Sequence, residues 1–328
     1  MNEQTRLRCE LFIENKDRIK SVFSWDGGLI HLACAGIYTV KDQRVDEGNL
    51  QFCKDLLKQK VGAFSNFRST ARSPIASMLA VSGSPERTLD HGLEVYELLK
   101  KDFWGSTYLP LAAMILSQMV EPREYARLAT RTRRIYERMK AEHPFLTSGE
   151  DSAFCALMAL SDQSDDHLIC DAGACYQILK PHFFSGNAVQ SMSHILALCE
   201  GQAKEKCERT MALFSTLKAA GHKYGTEYEL PTLGVLAMAD GDSHEIANEM
   251  IEVDQWLSAQ RGFGPFSSVT RKQRLMYAGI LVQKEFMQNA AMQTAAVSST
   301  ISLIVAQEAA MCAAIAGSAA AASAASQG

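Results

Sequence analysis

Short runs in which almost every position is apolar recur along this chain: IASMLAVS from Ile75, LAAMILSQ from Leu111, CALMALSD from Cys155, SHILALCE from Ser193 and LGVLAMAD from Leu233. Between them lie segments with a single apolar face. In LDHGLEVYELLKK, Leu89, Leu93, Tyr96 and Leu99 recur at helical spacing. The first kind of segment predicts a helix buried all round, the second an amphipathic helix covering it. The stretches SGSPER, VEPRE, SDQSDD, EGQAKE and DGDSHE follow the apolar runs at one phase. Their Pro, Gly, Ser and Asp predict the turns that join the two helices of each hairpin.

The pattern keeps step. Tyr96, Tyr136, Tyr176, Phe214 and Asp254 form one column with gaps of 40, 40, 38 and 40 residues, and Lys100, Lys140, Lys180 and Lys218 follow four residues later. The aromatic corners Phe64, Phe103, Phe145, Phe184, Tyr224 and Phe263 are spaced by 39, 42, 39, 40 and 39. An earlier copy runs from Leu29 to Lys58. Alternating strand patterns are confined to scraps, such as around Tyr38 to Val40. The expected fold is therefore all-α: six to seven helical hairpins of about 40 residues over 1–268, stacked as an α-solenoid or curled into an α/α toroid-like superhelix. Residues 269–328 are expected to form a capping helix pair with an Ala-rich tail, continuous with that single domain.

At the corners, Thr147 and Glu150 have the spacing of a capping box, with Phe145 ahead of them as a staple, and Ser185 is a cap candidate. Phe183 and Phe184 are expected to plug the interface between hairpins.

The strings GAFSNFR (62–68), EHPFLTSGED (142–151), FFSGNAVQSMSHILAL (183–198), YELPTLGVLA (228–237) and RGFGPF (261–266) resemble a bacterial family of unknown function, number four thousand and three in the series of such domains. The resemblance spans nearly the whole chain. It implies a mostly helical cytoplasmic protein and supplies no activity or catalytic residues.

Composition narrows the partners. A net charge of −4 argues against a general nucleic-acid binder. Nine cysteines, an odd number without a CxxC pair, fit buried thiols of a reducing compartment better than a disulfide framework. The first twenty residues lack the apolar core of a secretory leader. The tail is mainly Ala and Ser with Gln307 and Glu308 inside it, a poor match to the roughly 20 strongly apolar residues of a bilayer span, so membrane association is not expected.

Stacking places equivalent positions side by side. The N-terminal ends of the buried helices should then present a row containing Arg68, Arg72, Tyr108, Glu150, Asn187, Gln190 and Arg274, suited to a polar ligand, peptide or protein on a concave face. Asp151 and Glu229 are candidates for a general acid and base of a hydrolase or lyase, with His194 as a third candidate. Acids at helix N-termini are favoured by the helix dipole in any case, so capping is the preferred reading of these residues. The pairs His31 with Cys34 and His194 with Cys199 fall short of a metal-ligand set, and no cofactor motif is present. A stripe of Arg127, Arg131, Arg134 and Arg138 at i, i+4, i+7 and i+11 is either a solvated face or a phosphate contact.

Overall fold

The computed structural model describes residues 1–286 apart from Phe64, Asp102, residues 104–107 and Phe266. Among the described residues every regular element is a helix. They are α1 (Glu3–Val22), α2 (Gly28–Val40), α3 (Glu47–Lys60), α4 (Arg72–Ala80), α5 (Pro85–Leu99), α6 (Leu109–Met119), α7 (Tyr125–Glu142), α8 (Ser152–Ala159), α9 (Asp165–Leu179), α10 (Gly186–Ala197), α11 (Ala203–Ala219), α12 (Leu230–Ala237), α13 (Ser243–Ser258) and α14 (Arg271–Phe286). None is long and apolar enough to cross a membrane. The second expected tail helix lies outside the described residues.

The apolar runs become the even-numbered helices. Every residue of α8 and α12 is buried, as is α4 from Ser73 and α6 through Ser117. The odd-numbered helices cover them and show one buried face. Their contacts run in order around the molecule. Among the covering helices α1 touches α3, then α5, α7, α9, α11 and α13 follow, and α13 touches α1. Among the buried helices α2 packs on α4, and α6, α8, α10, α12 and α14 form a continuous series. The turn at Asn66–Arg68 touches both α4 and α6, and α14 packs on α2. Succession thus returns to its start. We call the junction of α1 and α2 with α13 and α14 the seam.

The pairing differs in phase from the sequence reading. The most extensive packing joins helices across the aromatic corners, as in α5 on α6, α1 on α2 and α9 on α10, not across the polar loops. Close approach explains it: a Cβ added at Gly92 of α5 would lie 2.4 Å from Met114 Sδ of α6.

Ring contacts lock each corner to the next covering helix. Phe67 meets Tyr96 edge-on at 5.1 Å, Phe103 meets Tyr136 at 5.0 Å, His143 meets Tyr176 at 4.9 Å and Phe183 meets Phe214 at 5.1 Å. Lys54 of α3 stands 5.0 Å from the Phe23 ring centroid in the first corner. Where the column carries Asp254, the ring pair gives way to an ion pair: His222 Nδ1 lies 3.0 Å and Arg274 Nε 2.6 Å from its buried carboxylate. At the seam, Phe263 of the last corner reaches Phe12 of α1, at 6.4 Å.

Two corner aromatics therefore fall where they were not expected. Phe145 and Phe184 are 99% and 100% exposed, and the stacked places belong to His143 and Phe183. At the same corner Asp151 Oδ2 accepts from Ser148 N at 2.8 Å and Thr147 Oγ1 accepts from Gln190 Nε2 at 3.0 Å, while the Glu150 side chain of the expected box lies outside the described residues. Ser185 does cap α10, accepting from Ala188 N.

The C-terminal carbonyls of the buried helices are held by polar side chains of the covering helices. Asn49 donates to Ala80 O, Arg131 to Ala159 O and Ser161 O, Lys206 to Cys199 O, and Arg209 to Ala239 O. Such groups have no partner within a helix and favour cations.

The adjacent phenylalanines give a direct test. Phe183→Ala should cost about 3–5 kcal/mol, the range for a buried aromatic, and Phe184→Ala less than about 0.5 kcal/mol. Denaturant unfolding of both variants distinguishes the two sites.

Candidate functional site

All the buried helices begin on one rim, because each follows a corner. Most of the residues expected to form a row there are engaged in the scaffold. Arg72 opens α4 and pairs with Asp26 at 2.8 Å, with its guanidinium over the Phe23 ring. Arg274 is bound to Asp254 and to Phe263 O. Tyr108 precedes α6 with its side chain buried. Gln190 is buried in α10, its amide nitrogen on Thr147 and its Oε1 without a partner. Asn187 is exposed, and Arg68 is half-buried in the turn before α4. The backbone of Glu150 lies in the turn Gly149–Asp151, and its side chain is outside the described residues.

The acid/base candidates occupy separate places. Asp151 precedes α8 and Glu229 precedes α12, while α10 packs between those two helices. Glu229 is buried, and its carboxylate accepts from Glu227 N at 3.0 Å. Burial raises its pKa above the ordinary carboxylate value. Gly225 is required beside it, since an added Cβ would lie 2.2 Å from the Glu229 carboxyl carbon. His194, buried in α10, is pushed down to about 3 by desolvation and by His143. Its Nδ1 has no partner, and it shares a water-sized cavity of about 10 Å³ with Gln190. Cys155 is buried against Met139 Sδ, and burial drives its thiol well above its usual pKa, opposite to what a nucleophile needs.

The arginine stripe is neutralised. Arg127 pairs with Glu124, Arg131 and Arg134 share Asp165, and Arg138 meets Asp166. Among the described residues no three His, Cys, Asp or Glu side chains group as a metal site.

A concave feature lies at the seam. A cleft of about 470 Å³ opens between α1, the first corner and the last corner. Lys16 and Lys20 come from α1, Asp26 and Gly28 from the start of α2, and Arg261 and Ser268 from the last corner. Lys16 Nζ already crosses the seam, donating to Arg261 O at 3.1 Å and standing 5.4 Å from the Phe263 ring centroid. His31 lines the floor with its Nε2 on Phe23 O at 2.9 Å. The sequence row missed this site because it is not repeated. Its one signal was the pair Gly27–Gly28 at the head of an apolar helix.

His194 makes stability pH-dependent with a definite sign. Between about 3 and 6.5 the unfolded chain binds a proton that the folded chain excludes, so stability falls as pH drops below 6.5. Urea unfolding at pH 7 and pH 5 should show a loss that is smaller in His194→Gln, by up to about 2 kcal/mol.

Among curated proteins, the chain is similar to the "Uncharacterized protein YeaA" of Bacillus subtilis (strain 168), 25% identical over 248 residues, covering 73% of this chain and 74% of that protein. No solved structure matches it. Residues 15–310 match the family described as "Protein of unknown function (DUF4003)", and the chain belongs to that family.

Proposed function

We propose that this chain is a ligand-binding α/α toroid of seven helical hairpins that holds a small polar molecule in the seam cleft. The cleft itself carries the reading. Its volume of about 470 Å³ falls within the range of small-molecule sites, it combines ring and aliphatic walls with a few charged groups, and it lies on the rim where the buried helices begin. The described parts of α4, α6, α8 and α12 are buried on all sides, which favours the rim over an open inner groove as the ligand surface. The hydrolase or lyase alternative keeps one supporting observation, the raised carboxyl of Glu229. Its intended partner Asp151 stands on a helix two places away, so the binding reading is preferred.

Screening a library of polar metabolites by thermal shift and native mass spectrometry tests the proposal. A bound compound should raise the melting temperature of the parent protein. Ser268→Trp, which fills the cleft from an exposed position, should weaken that compound at least tenfold while leaving the melting temperature of the free protein unchanged. Equal binding by the filled variant removes the cleft as the site.

A further inference from the structure

The charges around the cleft are not arranged as the rest of the scaffold is. Elsewhere the basic side chains facing the buried helices are spent on carboxylates or carbonyls: Arg131 on Asp165, Lys206 on Asp171 and Cys199 O, Arg274 on Asp254. At the seam, Lys20 follows Lys16 by one turn of α1, and Arg261 lines the same cleft from the corner between α13 and α14. Lys20 and Arg261 are both exposed, and no ion pair among the described residues engages either of them. Of the two acids on the lining, Asp26 is held by Arg72 and Ser73, and Asp17 by Lys16. The cleft therefore brings cations from the first helix and the last corner together with an excess of positive charge between them.

Backbone polarity adds to this. α2 starts at the cleft with Gly27 as its N-cap, and Gly27 has no side chain to accept from the first turn. The first helical bonds are those of Ile30 and His31 to Gly27 O, so the N–H groups of Gly28 and Leu29 precede the helical ladder. Gly28 itself lines the cleft.

We infer that the ligand of the seam cleft carries a compact oxyanion, a phosphate or carboxylate group, bound by Lys20 and Arg261 beside the start of α2, and that its binding fastens the seam. This rests on the cleft being the ligand site. The cavity and the converging cations carry the inference, and the helix terminus adds to it. An anion between Lys20 and Arg261 turns a repulsion between the two ends of the chain into two attractions. Coupling to closure follows, because the two cations belong to elements that meet only when α1 docks on α13 and α14.

Trp25, 98% exposed between the lining residues Ser24 and Asp26, is a built-in reporter. The full chain is titrated with inorganic phosphate, pyrophosphate and citrate at constant ionic strength, with myo-inositol as the neutral probe and Trp25→Phe as the optical control. At least one oxyanion should give a saturable change in Trp25 emission. Its affinity should fall about tenfold or more in Lys20→Gln and in Arg261→Gln, and it should slow hydrogen exchange in residues 3–22 and 271–286 of the parent. Undiminished oxyanion binding in either variant overturns the inference. So does binding of myo-inositol with no response to any oxyanion, although the cleft then stands as a ligand site. Oxyanion binding that survives in Ser268→Trp overturns both readings, as does the absence of any response from all four probes.

Discussion

A single contact, repeated around the molecule, holds this architecture: a corner residue reaching across to the next covering helix. In four places it is a ring against a ring, with centroids about 5 Å apart. Such pairs contribute roughly 0.5–1.5 kcal/mol beyond the area they bury. Chemistry changes while the place is kept. Lys54 over Phe23 is a cation on a ring, and His222 with Asp254 and Arg274 is a charged cluster in the buried interior. Removing Asp254 would leave Arg274 without its counter-charge, which makes that position less forgiving than its aromatic equivalents. The last member, Phe263 on Phe12, joins the end of the described chain to its beginning.

Much of the polar chemistry supports this frame. The buried helices α4, α8, α10 and α12 have 9, 8, 12 and 8 residues, so a large share of their carbonyls lie at an end without helical partners. Asn49, Arg131, Lys206 and Arg209 supply donors there. A stripe of arginines that resembles a phosphate-binding face in sequence is consumed by this task and by the acids that open the next covering helix. Charges left uncommitted by the scaffold are therefore more informative about ligands than charges that are merely numerous, and Lys20 and Arg261 at the seam are two of them that line one cleft.

The helical content, the buried character of the apolar runs and the column from Tyr96 to Asp254 were legible because each depends on local periodicity. Which aromatic of a corner turns inward was not. Phe145 and Phe184 keep the spacing, yet Phe103, His143 and Phe183 take the stacked positions, and each lies seven residues after a column tyrosine. The length of chain leaving the helix sets the contact, so a histidine at the right offset displaces a phenylalanine two residues on. Of the residues expected in a rim row, sequence could not show that Arg72 and Arg274 already had partners in Asp26 and Asp254. The cleft was illegible for a different reason. It forms between segments some 240 residues apart, and no period points to it.

The seam also sets an order of events during synthesis. Phe12 leaves the ribosome some 250 residues before the rings that cover it, which belong to Phe263 and Tyr277. Until the C-terminal part of the described chain has been made, α1 can pack on α2 and α3 but Phe12 lacks the rings that cover it. Contacts of such sequence separation form late and slowly, and transiently exposed surface of this kind attracts chaperones or aggregates. α1 thus reaches its final place only with a partner made much later, and the closing of the seam is timed by the arrival of α14.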